Sequence, residues 1–201
     1  MRPFLFPVIG PERGEKMATN IYQSYERGTA KDRAELLYKN YCSFAGIIDA
    51  CKARLIYEIR SEEQFCESHN RNGLGIHIIK PGQINDPTAT EAINNVSLEE
   101  KIDGKELLAL GRHIASDTQT RLKRKHQVLV AMREEYNVFD KYLYSLMPEE
   151  QRIIIPLLKH AKDYYQLASE NGLTVETVRK RASRIHQSII TEMAACFIER
   201  I

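Results

Sequence analysis

The sequence predicts an all-α protein with an N-terminal helical hairpin, a long central helix and a C-terminal helix-turn-helix. Apolar residues recur at steps of three to four residues through most of the chain, which is the period of amphipathic helices. Capping residues and a helix-stopping glycine divide the C-terminal part into short helices. The 201 residues, 43% of them apolar, suffice for the core of one ordinary domain or of two small ones.

Residues 1–29 are expected to form an N-terminal tail. Prolines and glycines interrupt its short apolar patch, and no small-residue cleavage site follows, so a signal peptide is not predicted. Residues 12–16 can all be written in purine-only codons. We therefore hypothesise that residues 1–16 are a translated ribosome-binding site upstream of a start at Met17. Mass spectrometry of the native protein tests this, because peptides from residues 1–16 would contradict it.

Residues 30–68 are predicted to be an N-terminal helical region, with Gly46 as a candidate break between two helices. An apolar stripe runs along it with lysines and glutamates between its members. The stripe consists of Leu37, Tyr41, Phe44, Ile48, Cys51, Leu55 and Ile59. Its aromatic and cysteine side chains are interpreted as packing residues rather than a cofactor site.

Residues 69–87 contain three glycines and two prolines, and this composition predicts a flexible linker. Asp86 and Pro87 suit the N-cap and first position of a following helix. The long central helix is predicted over residues 88–144, with a pause near Asp103 and Gly104. Its apolar edge comprises Ile93, Leu98, Ile102, Leu108, Ala115, Leu122, Leu129 and Met132.

This central segment has the pattern of a bundle or coiled-coil helix, and the sequence leaves open whether the chain forms a homodimer through residues 88–135. Four further cations, Arg121 and Lys123 to Lys125, point around the helix rather than along one face. They are interpreted as a solvated surface rather than as phosphate contacts.

Residues 145–201 are predicted to form the helix-turn-helix domain. Asp163 is placed to cap a short helix, Gly172 to stop it in the left-handed conformation, and Thr174 to cap a second helix that begins at Val175. Ala168 is small where the two helices must approach, and Val178 faces the angle between them. This spacing is typical of a DNA-binding helix pair.

On the second helix, a buried stripe is predicted from Val175, Val178, Ala182, Ile185 and Ile189. The opposite face supplies Glu176, Thr177, Lys180, Arg181 and Arg184 as candidate DNA-binding residues, with Arg179 on its flank and Thr174 at the start of the helix. Residues 179–184 hold four cations and no acid. Such a helix fits the major groove of double-stranded DNA, where Arg and Lys donate to guanine.

Lys180, Arg181 and Arg184 are the residues expected to carry the binding. Thr174 and Thr177 lie at the start of the helix, where base or backbone contacts concentrate, and Glu176 can accept from cytosine N4. The competing interpretation is a solvated surface helix whose spacing arises by chance. It accounts for the charge but not for the two caps and the small residues between them.

The same segment resembles region 4 of bacterial sigma factors, through MPEEQR, the apolar run IIIPLL and then YYQLASENGLTVETVRKRASRI. The resemblance implies a supporting helix from Leu146 to His160, a first motif helix from Tyr164 to Asn171 and a recognition helix from Val175 onward. Pro156 departs from the pattern and is predicted to kink or split the supporting helix.

The order of segments resembles phage-encoded regulators of late transcription of the RinA and ArpU type, with DPTATEAI at residues 86–93 similar to an element of that group. The resemblance implies a transcription factor that acts on phage or prophage structural genes and contacts host RNA polymerase. It would work in the bacterial cytoplasm.

Other classes of function find little support. No P-loop, GxSxG or HExxH motif is present, so neither an enzyme nor a cofactor is predicted. The six histidines and four cysteines are scattered, which predicts no metal site and reduced thiols in a cytoplasm. No apolar run reaches the length of a membrane span. The net charge of +2 requires that DNA binding depend on local clustering.

Two alternatives remain open. A sigma factor of extracytoplasmic type would use residues 30–66 to melt promoters, but the chain has no Trp and its N-terminal aromatics are expected on the buried stripe. A helical adaptor or scaffold without DNA binding would pair its central helix with a partner. The DNA target and the choice between activation and repression are not predicted.

Overall fold

The computed structural model describes residues 21–70, 98–104 and 114–197, and the regular secondary structure within them is entirely helical. The prediction of an all-α protein is therefore confirmed. In chain order, the helices are α1 (residues 21–27), α2 (Ala30–Asn70), α3 (residues 98–103), α4 (Ser116–Ser145), α5 (Pro148–Leu158), α6 (Tyr164–Asn171) and α7 (Val175–Cys196). Nowhere in these ranges is a helix long and apolar enough to cross a membrane.

Several sequence predictions fall outside the described residues. They concern residues 1–16, the linker from residue 71 onward, the cap formed by Asp86 and Pro87, and residues 88–97 and 105–113 of the predicted central helix, with Ile93 and Leu108 of its apolar edge. The linker was predicted from residue 69, which is wrong at its start because α2 continues to Asn70.

Residues 21–27 are helical where a tail was predicted, so the assignment of residues 1–29 was wrong at its C-terminal end. Ile21 and Tyr25 are buried, and this burial holds α1 in place. A Cβ added to Gly28 would lie 2.8 Å from the carbonyl oxygen of Ser24, so the turn after α1 needs a glycine.

A reciprocal cap starts α2. The backbone N–H of Asp32 donates to the Thr29 hydroxyl at 3.2 Å, and the Thr29 N–H donates to the Asp32 carboxylate at 3.0 Å. The hydrogen bond from the Thr29 hydroxyl lowers the pKa of Asp32, and the one from its backbone N–H adds to this effect.

The predicted N-terminal hairpin is wrong, because α2 is one continuous helix of 41 residues that contains Gly46. A glycine inside a helix costs about 1 kcal/mol relative to alanine. Burying a large apolar side chain contributes about 1.5–3 kcal/mol, and Phe44, Ile47 and Ile48 are all buried around Gly46. The predicted stripe from Leu37 to Ile59 is confirmed, since all seven of its members are buried.

The central helix predicted over residues 88–144 is not continuous. Helix α3 ends before a bend at Gly104, where a pause was expected, and α4 begins only at Ser116. The Gln119 side-chain amide donates to the carbonyl oxygen of Ile114 at 2.9 Å, so a polar side chain occupies the start of α4. Of the predicted apolar edge, Ile102, Leu122, Leu129 and Met132 are buried, Leu98 is half-buried and Ala115 is exposed.

The chain divides into two compact units. Unit 1 comprises Met1–Ala50 and Met132–Ile201, and unit 2 comprises Cys51–Ala131. Both boundaries fall within helices, in α2 and in α4. The candidate DNA-binding residues belong to unit 1.

In unit 2, side chains of α4 pair with α2 and α3. Arg121 lies 3.0 Å from Glu62, and Lys125 lies 2.5 Å from Glu58. The ring of His126 is buried with its Nε2 atom 3.0 Å from the carbonyl oxygen of Ile102. Arg121 and Lys125 are therefore engaged by carboxylates, which favours the interpretation of the α4 cations as a structural and solvated surface.

A polar network lies inside unit 1. Arg33 is 1% exposed and its Nε atom donates to the Glu135 carboxylate at 3.0 Å. The Tyr25 hydroxyl donates to the same carboxylate oxygen. The Arg33 guanidinium also lies 5.9 Å from the ring centres of Tyr25 and Phe197. This network joins α1 and the start of α2 to α4 and to the residue that follows α7.

Candidate nucleic-acid interface

Helix α5 supports the candidate interface and is bounded by clear signals. Pro148 occupies its first turn, and the Met147 N–H donates to the Glu150 carboxylate at 3.3 Å. Pro156 lies inside the helix but does not split it, contrary to one of the two outcomes predicted; the helix ends at Leu158. Its span also falls short of the predicted limits of Leu146 and His160.

His160 closes this end in the left-handed conformation, with φ of 51°. The Ala161 N–H donates to the carbonyl oxygen of Pro156 at 2.9 Å, and the His160 N–H donates to that of Leu157 at 3.0 Å. This pair of bonds is a Schellman motif, which satisfies the last carbonyls of the helix.

Helix α6 spans the residues that the sequence predicted. The Gln166 N–H donates to Asp163 Oδ1 at 2.8 Å, and Gln166 Oε1 accepts from the Asp163 N–H at 3.0 Å. At the other end Gly172 has φ of 62°, and the Leu173 N–H donates to the carbonyl oxygen of Ala168 at 2.9 Å. The predicted roles of Asp163 and Gly172 are confirmed.

Helix α7 begins at Val175 as predicted, because the Thr174 hydroxyl accepts from the Thr177 N–H at 3.2 Å. Four of the five predicted stripe residues are buried, namely Val178, Ala182, Ile185 and Ile189. Val175 is only half-buried. The stripe continues through Ile190 and Met193, and α7 packs against both α5 and α6.

The polar face of α7 is open to solvent. Thr174, Glu176, Arg179, Lys180, Arg181 and Arg184 are exposed, and Thr177 is half-buried. The structure thus places the seven predicted DNA-binding residues on the N-cap and the first three turns of one helix. The hydroxyl of Thr174 is engaged in the cap and also lies 2.8 Å from the Thr177 hydroxyl.

The four cations of this face differ in their surroundings. Lys180 lies 2.7 Å from Glu176, with both side chains at least two-thirds exposed, so the pair contributes little to stability. The Arg179 guanidinium lies 5.5 Å from the centre of the Tyr164 ring. Among the residues that the structure describes, Arg181 and Arg184 form no ion pair. Their guanidinium groups therefore have all their donors available to a ligand.

Sequence reasoning missed Tyr164. Its ring lies on the edge of a groove of about 400 Å³ that is also lined by Tyr38, Lys39, Leu157, Leu158, His160, Lys162 and Asp163. The signal that was present is an aromatic residue at the first position of α6. The contact with Arg179 depends on how α6 and α7 cross, which residue spacing does not specify.

The middle of α7 is anchored to α2 on its other side. His186 Nε2 lies 3.3 Å from the Glu35 carboxylate, and the His186 ring centre lies 4.1 Å from that of Tyr38. Desolvation raises the pKa of Tyr38 to about 12, with smaller contributions from Tyr164 and Glu35. This side of α7 is therefore held by the protein itself.

The interface supplies hydrogen-bond donors and positive charge. The described ranges contain no group of three or more His, Cys, Asp or Glu side chains arranged to hold a metal ion. No protein-family model, curated protein or solved structure matches the chain.

Proposed function

We propose that the protein is a sequence-specific DNA-binding transcription regulator that places α7 in the major groove. One observation carries the proposal: α6, its left-handed turn and α7 form a capped helix pair whose open face carries Arg179, Lys180, Arg181 and Arg184. An α-helix fits the major groove, and helix-turn-helix proteins contact bases with the first part of their second helix.

The exposed arginines have the chemistry for base contacts. Arginine donates two parallel hydrogen bonds to O6 and N7 of guanine, and a good pair of this kind discriminates by about 1–3 kcal/mol. Arg181 and Arg184 lie three residues apart, so they project from the same side of α7 about one turn apart. They are the best placed to contact successive bases.

Lys180 and Glu176 can contact DNA only when the ion pair between them breaks. Their ion pair is exposed, and a phosphate or base can replace either partner at little cost. Lys180 released in this way neutralises a phosphate, and Glu176 then accepts from cytosine N4.

The wider proposal follows the resemblance of residues 145–201 to sigma region 4 and of the whole chain to RinA- and ArpU-type regulators. The protein then acts on phage or prophage genes in the bacterial cytoplasm and contacts host RNA polymerase. A homodimer through part of residues 88–135 is a further proposal.

Selection from a random-sequence duplex library tests the central proposal. We expect one sequence class to be enriched, and we expect Arg181→Ala and Arg184→Ala each to weaken binding to it by about 5- to 150-fold. Arg181→Lys keeps the charge but not the paired donors, so it should lose discrimination at one base position.

Lys123→Ala is the matched control, because it removes one exposed cation from α4 and should leave specific affinity unchanged.

The dependence of binding on salt concentration distinguishes DNA binding from the adaptor alternative. The logarithm of affinity should fall with the logarithm of salt concentration by about 0.9 per phosphate contacted, whereas an apolar helix interface should show no such slope. Absence of any enriched sequence would refute the proposal.

A second candidate is a sigma factor of extracytoplasmic type, and one observation favours it. Tyr41 and Phe44 lie on the buried stripe, but Tyr57 and Phe65 of α2 are 73% and 59% exposed, contrary to the expectation that the N-terminal aromatics are buried. Exposed aromatics can stack on unpaired bases. Promoter-specific transcription by core RNA polymerase with this protein alone would establish this candidate.

A further inference from the structure

The ring of Tyr164 faces the guanidinium of Arg179 at the edge of the proposed DNA-binding face. The distance from Arg179 Cζ to the ring centre is 5.5 Å, which lies within the range of cation–π attraction. Tyr164 is the first residue of α6, and Arg179 lies in the second turn of α7. The contact therefore links the two helices of the pair.

The position of Tyr164 is fixed by its neighbours. The capping box of Asp163 and Gln166 sets the backbone immediately around it. The ring is 37% exposed and lies beside Tyr38 and Leu157 in the groove behind it. The aromatic surface beneath Arg179 is consequently anchored to the protein rather than free to move with the arginine.

Arg179 occupies a different angular position from the other cations. Successive residues of an α-helix are separated by about 100°, so Arg179 lies about 140–160° around α7 from Thr177, Arg181 and Arg184. It occupies the opposite border of the polar face, beyond Glu176 and Lys180. This border adjoins α6. When a helix lies in the major groove, such flanking side chains meet the sugar-phosphate backbone, whose contacts fix the register of the protein on the duplex.

We propose that Tyr164 is a positioning residue that presets Arg179 to contact a DNA phosphate at the edge of the groove occupied by α7. This inference rests on the proposed function. An unrestrained arginine loses rotamer freedom when it binds, and an aromatic ring that already restricts the side chain reduces that loss. The guanidinium keeps its N–H donors for the phosphate while its face rests on the ring.

A double-mutant cycle on the full-length protein tests this proposal, with the duplex enriched from the random library as the probe. Tyr164→Leu should weaken binding by about two- to five-fold in the wild-type background, as expected from an exposed cation–π contact. In the Arg179→Ala background, Tyr164→Leu should have no further effect. Tyr164→Phe keeps the ring and should bind like the wild type.

The salt dependence gives a second readout that a purely structural role of Tyr164 would not produce. Arg179→Ala should reduce the slope of log affinity against log salt by about 0.9, since one phosphate contact is lost. Tyr164→Leu should leave the slope unchanged, because the contact still forms at lower affinity. Tyr165→Leu is the matched control: this neighbouring tyrosine is more exposed, and its effect should add to that of Arg179→Ala.

The outcomes separate the two proposals. Equal losses from Tyr164→Leu in both backgrounds, with Arg181→Ala still impairing binding, would overturn the positioning role and leave the DNA-binding function intact. No enrichment of any duplex by the wild-type protein would overturn both. Circular dichroism and thermal unfolding of each variant identify losses of affinity that come from unfolding.

Discussion

Arg33 shows that a single charged residue can belong to the core of a helical protein. Its guanidinium is enclosed by the Glu135 carboxylate, the carbonyl oxygen of Gly28 at 3.2 Å, and the rings of Tyr25 and Phe197. Burying a charge is costly unless it is paired and hydrogen-bonded, and here both conditions are met. The arrangement makes the pair sensitive to the removal of either partner.

We predict that Glu135→Gln destabilises the protein by about 3 kcal/mol, because it removes the charge of the carboxylate that pairs with the buried Arg33 guanidinium. The shift of the midpoint of urea unfolding measures this effect. Glu192→Gln is the control, since Glu192 is exposed on α7 and its replacement should change stability by less than about 0.5 kcal/mol. Equal losses of unfolding free energy in the two variants would show that the buried Arg33–Glu135 pair contributes no more to stability than an exposed carboxylate.

A second residue-scale prediction concerns alkaline pH. Burial raises the pKa of Tyr38 from its ordinary value of 10.0 to about 12 in the folded protein. Between these values the folded state retains a proton that the unfolded state releases, so folding stability contributed by Tyr38 is present below pH 10 and is lost as pH rises towards 12. Tyr38→Phe should make stability fall less steeply in this window.

Unfolding free energies measured at several alkaline pH values test the Tyr38 prediction. A slope in Tyr38→Phe identical to that of the wild type would contradict it. The phenol of Tyr41 also has a raised pKa, through burial and its hydrogen bond to Asp140, so Tyr41→Phe should reduce the slope in the same direction.

At the scale of elements, the turns before and after α6 have the same backbone geometry but different residues. Each preceding helix ends in a Schellman motif with one left-handed residue, which is His160 after α5 and Gly172 after α6. A left-handed conformation is costly for residues with a Cβ and nearly free for glycine. The angle between α6 and α7 therefore depends on a turn without that strain.

Two glycines give predictions of opposite sign. Gly172→Ala should destabilise the protein by about 1 kcal/mol through backbone strain, since nothing lies within 4 Å of the added Cβ. Gly46→Ala adds a Cβ into equally open space inside α2 and should stabilise by about 0.5–1 kcal/mol. Thermal unfolding of both variants measures the contrast. Changes of the same sign would contradict the assigned conformations.

Local signals explain how much of these elements could be predicted. Asp163, Gly172 and Thr174 specify their caps and turn within a few residues, so the bounds of α6 and the start of α7 followed from sequence. The break expected at Gly46 failed because buried neighbours outweigh the low helix propensity of one glycine. The burial of Arg33 and the contact of Tyr164 with Arg179 were not predicted, because they depend on residues distant in the chain.

At the scale of the whole molecule, unit 1 combines residues 1–50 with residues 132–201. The sequence predicted residues 145–201 as a separate domain and gave no sign of this partnership. The pair of Arg33 with Glu135 and the contact of His186 with Glu35 both join the two segments. The candidate DNA-binding helices are thus supported by α2 within the same unit.

We predict that a fragment of residues 145–201 does not fold cooperatively on its own. It would lack Glu35 and Tyr38, which contact α7, and Arg33, which lies against Phe197. Circular dichroism during heating should show a broad, weak transition, whereas the full chain should show a cooperative one. A sharp transition in the fragment would show that α5, α6 and α7 form an independent domain.

The pairing of Tyr25 and Arg33 with Glu135, over 110 and 102 residues, has a consequence for biosynthesis. Contacts between distant positions form slowly, because a long stretch of chain must close before they add any stability. During translation, Arg33 emerges well before Glu135, with apolar residues such as Leu37 and Phe44 still lacking their cover. We therefore expect the nascent protein to expose apolar surface of the kind that chaperones shield until synthesis has passed the middle of α4.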